Sequence, residues 1–305
     1  MVYLHIMYTI QNDDLSIGVK EIGAELASVR SIKDNIEYLW QADGQFWGRH
    51  SCILFPVIGC INDGHTIIKG RQYPMTKHGL VRNKQWQLIN QESDHLVFSL
   101  SSDEESRRYF PYDFELRARY NLSDLKCTIR YEVETRGAER MPFNMGAHPA
   151  FTCPIRQGYK RSDYQGYKRS DYTIVFHESE YQNAPIINDA GLIGPRKQLV
   201  LDHQKELPIT EHLFDLDALI LEDLNSHKLY LVDKDGKKHW TFDFGNCSHL
   251  GIWSANRQAP FVCIEPWFGV ADHEDTSGVF IDKPAIQWVE PGEVWSYEHS
   301  ITIEA

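Results

Sequence analysis

Alternation with a period of two residues is the feature that most restricts this chain. In Lys126-Cys127-Thr128-Ile129-Arg130-Tyr131-Glu132-Val133-Glu134, every second side chain is apolar and polar ones fill the gaps. Only an extended strand with one dry and one wet face sorts such a segment. The pattern returns in His239 to Phe244 and Val294 to Ile303, and strand-like runs occupy Leu15–Lys20, Trp86–Gln91, His95–Leu100, Phe114–Leu122, Thr173–Phe176, Ala218–Glu222, Lys228–Val232 and Phe261–Ile264. Asn62-Asp63-Gly64, Lys234-Asp235-Gly236 and Glu290-Pro291-Gly292 supply turns between them. Helical periodicity is confined to Asp103–Phe110, with Ser102 as the expected N-cap, and to Thr210–Phe214. The expectation is an all-β antiparallel sandwich with few short helices, forming one domain over residues 1–305.

Composition narrows the partners. A formal net charge of -12 on 305 residues disfavours nucleic acid and anionic membrane surfaces, which require clustered Lys and Arg. No apolar run is long enough to span a bilayer, and Met1 to Gln11 lacks the features of a secretory leader, so a cytoplasmic location is expected. Six cysteines without Cys-x-x-Cys spacing indicate neither a zinc site nor a disulfide framework. Eight tryptophans are more informative, because flat aromatic faces fill β cores and also stack on sugar rings. The octapeptide Gln157–Tyr164 is repeated at once as Gln165–Tyr172, too short for a solenoid repeat, and is expected to extend a surface loop on which no chemistry depends.

Two segments stand out chemically. Asn144-Met145-Gly146-Ala147-His148-Pro149-Ala150-Phe151 and Cys263-Ile264-Glu265-Pro266-Trp267-Phe268-Gly269 each set one titratable residue in apolar surroundings just before a proline. A proline biases the residue before it to extended backbone. A His and a Glu held this way are either a matched acid and base or buried polar residues satisfied by backbone partners. A third segment, Lys77-His78-Gly79-Leu80-Val81-Arg82, follows the loop Phe55-Pro56-Val57-Ile58-Gly59-Cys60.

Taken in order from Leu15 to Ile303, these segments resemble the aldose 1-epimerase (galactose mutarotase) family, LacX-like subgroup, in its FPxxG, HGxxR, NxxxHPxF and EPWxG motifs. The resemblance implies a galactose mutarotase-like antiparallel β-sandwich, or supersandwich, and a cofactor-independent isomerase, without a metal, that interconverts the α and β anomers of a free aldose. It also implies Glu265 as general base on the C1 hydroxyl and His148 as general acid on the ring oxygen. His78, Arg82, Asp217, Trp253 and Trp267 fall where the substrate is bound, with Asp215 as the alternative to Asp217. Mutarotation itself calls for one ionised carboxylate and one protonated imidazole, since O1 must lose a proton while O5 gains one. A monosaccharide is the expected partner of a monomer or homodimer.

Two departures bear on substrate choice. Cys60 stands where relatives carry arginine, and Gly146 to Phe151 replaces the more usual Asn-His-x-Tyr-Phe. A hexose-6-phosphate mutarotase and a non-catalytic carbohydrate-binding protein of the same fold are the alternatives. The first requires a basic pocket, to which Arg49, Arg71, Arg82 and Arg257 are the available contributors.

Overall fold

The computed structural model describes residues 6–155 and 167–304. Two antiparallel sheets dominate it. The larger has nine strands in the order Ile193–Pro208, Tyr172–Ile187, Lys228–Asp233, Lys238–Asp243, Trp295–Ile303, Lys126–Thr135, Phe114–Ser123, His95–Ser101 and Gln87–Gln91. The smaller has five, in the order Leu219–Glu222, His249–Trp253, Phe261–Phe268, Met145–Thr152 and Ser51–Leu54.

Alternation in the sequence matches the larger sheet. Within Lys126–Thr135, Cys127, Ile129, Tyr131 and Val133 are buried, while the residues between them are half-exposed. The strands of the smaller sheet behave differently. Met145–Thr152 and Phe261–Phe268 are buried at every position, because both of their faces are covered. One face packs into the main core, where Phe151 stacks on Trp240 of the larger sheet with ring centroids 4.3 Å apart. The other face carries the cavity described below.

Several expectations are corrected. The short helix spans Glu104–Arg107 and is capped by Asp103, not Ser102, because Asp103 and Ser106 exchange side-chain to backbone hydrogen bonds. Thr210–Phe214 leads through turns rather than a helix. The strand expected at Thr173–Phe176 runs from Tyr172 to Ile187 and pairs through several bulges with Ile193–Pro208, a polar strand whose interrupted alternation hides it in the sequence. Of the tandem octapeptide, Gln157–Tyr164 lies outside the described residues. The second copy is not only a surface loop: Arg169 is buried and donates to Ser254 Oγ and to the carbonyls of Asn256 and Ala259 at 2.6–2.9 Å.

Candidate active site

Strand register brings the two proline-flanked segments together. Gly146 pairs with Trp267 and Ala150 with Cys263, so the intervening positions set His148 directly opposite Glu265 on the neighbouring strand. Directly opposed residues of an antiparallel pair project to the same face. Pro149 and Pro266 contribute no N–H to the ladder between these pairs. The result is a His148 Nε2 to Glu265 Oε2 separation of 3.1 Å, with both side chains almost fully buried.

Glycines make room over this pair. Gly251 faces Glu265 across the next strand junction, and a Cβ there would lie 2.6 Å from the Trp267 ring. A Cβ at Gly146 would lie 2.7 Å from the same indole. Trp267 can therefore lie flat across the sheet as a buried floor. Its Nε1, the Nδ1 of His148 and the Oε2 of Glu265 are buried atoms without an aligned hydrogen-bond partner. Unpartnered buried polar atoms are costly, and all three belong to residues that line one cavity, which suits a polar ligand.

That cavity measures about 330 Å³, and all seven residues singled out from the sequence line it: His78, Arg82, His148, Asp217, Trp253, Glu265 and Trp267. Their parts differ. His78 has a φ of 64°, a left-handed backbone that turns its ring inward. The Gly59 N–H donates to its Nδ1 at 3.2 Å, so the neutral ring carries its proton on Nε2 as a free donor. Burial, reinforced by His148 and Lys77, holds its pKa well below the ordinary value, which keeps the ring neutral. Arg82 spends one Nη donor on the Lys77 carbonyl at 2.8 Å and so braces the His78 turn. Asp217 stands at the mouth, whereas Asp215 is tied to Arg257 and His212 and does not line this cavity. Between the two aspartates, the geometry favours Asp217.

Sequence reasoning missed Trp47 and Lys77. Trp47 stacks on His148 with centroids 4.6 Å apart and planes inclined by 23°, and it meets Trp253 edge-on. Its signal was present as an aromatic pair, Phe46-Trp47, in a glycine-flanked loop, but nothing local ties that loop to His148. Cys60 also lines the cavity.

Electrostatics differ from the sequence expectation in one respect. Burial pushes the Glu265 carboxyl well above the usual carboxylate range and pulls His148 down, so the empty cavity favours a neutral acid beside a neutral imidazole. Lys77 acts on the carboxyl in the opposite direction, towards ionisation. An ionised Glu265 with a protonated His148 holds the same single proton differently placed, and the pair titrates as a unit. Cys263 brings its thiol within 4.8 Å of both partners, giving a nitrogen, oxygen and sulfur donor group that linear spacing does not reveal. Burial raises the Cys263 pKa strongly, which keeps it a protonated thiol beside the pair.

The rim is held from behind by Arg169. Its guanidinium fastens Ser254 to Ala259, the loop that follows Trp253, and also faces the Phe214 ring on the segment leading to Asp217. Arg169→Ala is expected to lower unfolding free energy by about 2–4 kcal/mol, as several buried acceptors lose their donor at once. Urea denaturation measures this, and an unchanged midpoint would show the clamp to be idle.

Comparison with known proteins agrees with this fold. The family model for aldose 1-epimerase matches residues 7–302, and the chain belongs to that family. Protein LacX (plasmid) of Lactococcus lactis subsp. lactis is 30% identical over 302 residues, covering 96% of this chain and 98% of LacX. The crystal structure of a galactose mutarotase related enzyme from Lactobacillus acidophilus superposes with a TM-score of 0.90 at 29% identity, covering 98% of each chain. A putative glucose-6-phosphate 1-epimerase of Salmonella typhimurium is 34% identical over 82 residues, 25% of this chain and 28% of its own. Membership supports a sugar-directed isomerase with a galactose mutarotase-like fold. Among the described residues, no helix is long and apolar enough to cross a membrane.

Proposed function

We propose that this protein interconverts the α and β anomers of a free aldose, with Glu265 as base on O1 and His148 as acid on O5. The observation that carries the reading is the pairing of these side chains, 3.1 Å apart on facing strand positions, in a sugar-sized cavity. O1 and O5 are both bonded to C1, so acid and base must stand side by side rather than on opposite walls. The O1–C1–O5 edge of the sugar then takes the place of their direct contact.

Each proton has a stated route. Glu265 accepts the proton of the C1 hydroxyl while His148 gives its own to O5, the C1–O5 bond opens, and O1 becomes the aldehyde oxygen. Rotation about C1–C2 presents the other carbonyl face. Closure reverses both transfers and forms the other anomer. Ring opening therefore turns ionised Glu265 and protonated His148 into their neutral forms, and closure restores the charges. A site in which these two arrangements are close in energy serves both directions. Burial favours the neutral arrangement, and Lys77 with the polar sugar supports the charged one. His78, with its free Nε2 donor, binds a hydroxyl, Trp253 offers apolar surface to the ring, and Trp47 holds the His148 ring by stacking on it.

A 6-phosphate substrate has less support here. Among the described residues Arg82 is the one guanidinium lining the inner cavity, one of its donors is held by the Lys77 carbonyl, and Asp217 shares the lining with Lys77, so no paired guanidinium fork faces the ligand space.

Polarimetry of freshly dissolved α-glucose or α-galactose tests the reading: equilibration should be faster with the protein, and no acceleration with any aldose would overturn it. The pH dependence follows from the shared proton. Activity is lost when the pair gains a second proton or loses its only one. His148 is displaced downwards and Glu265 upwards, so the rate should hold through the mildly acidic range and fall on the alkaline side. A rate halved near pH 6.5 by simple histidine protonation would contradict these environments.

A further inference from the structure

The cavity does not end at its mouth. A second, outer groove of about 680 Å³ adjoins it, and Cys60, Lys77, Ile187, Gly191, Asp217 and Trp253 wall both. We propose that this outer groove is a second sugar subsite, so that the preferred substrate is the reducing end of a 3- or 4-linked disaccharide or longer glycan rather than a lone monosaccharide. The proposal rests on the mutarotase reading for its orientation.

Ring geometry supplies the direction. With C1 and O5 at Glu265 and His148, the bond on the opposite side of a pyranose is C3–C4, so substituents there point away from the pair and towards the mouth. A glycosidic link at either carbon carries the next sugar into the outer groove. Its volume, about twice that of the inner cavity, leaves room for such a unit.

The lining suits a neutral polyhydroxyl ligand. Trp253 and the exposed Leu216 offer apolar surface to a sugar's C–H face. The Asn188–Gly191 turn lines the same groove and is stiffened by Asn188 Oδ1, which accepts from the N–H groups of Ala190 and Leu192 at 2.9 and 3.0 Å. Charge is balanced: Lys77 and Arg196 line the groove together with Asp189 and Asp217, while Asp215 is neutralised by Arg257. A groove built for a phosphate would present cations in excess.

The test compares α-maltose, a 4-linked reducing disaccharide, with α-glucose by polarimetry. Remote binding energy should raise kcat/KM for maltose about tenfold over glucose. Arg196→Ala and Leu216→Ala, both confined to the outer groove, should lower the maltose value severalfold and leave glucose unchanged. Equal values for the two sugars, or equal losses in the variants, would overturn the proposal. So would a preference for glucose 6-phosphate that Arg196→Ala removes, since the groove would then serve an anion. A second arm needs no turnover: methyl β-maltoside and methyl β-glucoside cannot open at C1, and their affinities can be read from tryptophan fluorescence. Tighter binding of the maltoside by about tenfold supports the subsite even if no aldose is turned over, and equal binding removes it.

Discussion

Replacing Glu265 by Gln should cut the acceleration of mutarotation by roughly 10²–10⁴-fold, with KM changed far less. The amide keeps the size of the carboxyl and its place in the strand, so the sheet has no reason to rearrange. What disappears is the acceptor for the O1 proton, which is needed only as the ring opens. His148→Ala should cost a similar factor, because without a proton on O5 the C1–O5 bond would have to break to an alkoxide. The double variant should lose little more than either single one, since the two groups act in one step. Polarimetry at saturating sugar measures all three. If Glu265→Gln kept the wild-type rate, the assignment of the base would fall, and the structural alternative of a merely buried carboxyl would take its place.

The second large effect concerns stability. Asp272 and Lys283 form an ion pair with side chains only 5% and 3% exposed, and the other Asp272 oxygen accepts from the Asn62 N–H at 3.0 Å. The Asp272 backbone N–H also donates to the Cys60 carbonyl, so this pair underlies one wall of the cavity. Asp272→Ala strands an ammonium in a dry interior and should cost about 3–5 kcal/mol, read by urea denaturation. The double variant Asp272→Ala/Lys283→Met should recover a large part of that loss, because no charge then remains buried unpaired. The pH dependence has a definite sign. Burial already lowers the Lys283 pKa, with Asp272 opposing it, and removing Asp272 leaves burial unopposed. In the variant the unfolded chain then binds the extra proton, so stability should rise with pH until the unfolded lysine titrates. A single variant as stable as the wild type at neutral pH would show that the pair contributes nothing there.

How much was legible beforehand depended on whether the information was local. Strands with one wet face, such as Lys126–Thr135, announced themselves by alternation. In the five-stranded sheet, Phe261–Ile264 and Ala218–Glu222 were read as strands from their apolar runs, but Ser51–Leu54 and His249–Trp253 were missed, because burial on both faces removes the polar half of the pattern. Ile193–Pro208 was missed for the opposite one, a polar strand at the edge of the larger sheet with bulged pairing. His148, Glu265 and His78 were visible because proline and glycine beside a titratable residue are local marks. Trp47 was not, since nothing near it in the sequence points to a shared cavity, and Lys77 was read beside His78 without a role because an exposed-type lysine carries no local mark of one.

The sequence by itself determined the all-β class, the acidic charge and the residues from which an acid and base could be drawn, because periodicity and residue chemistry are properties of neighbours along the chain. Only the tertiary structure decided that His148 and Glu265 face one another. That rests on the strand register anchored at Gly146–Trp267 and Ala150–Cys263, a pairing between segments more than a hundred residues apart. It also decided their protonation, because desolvation depends on what the rest of the fold places around a side chain, with Trp47 over His148 and Trp267 beneath the cavity.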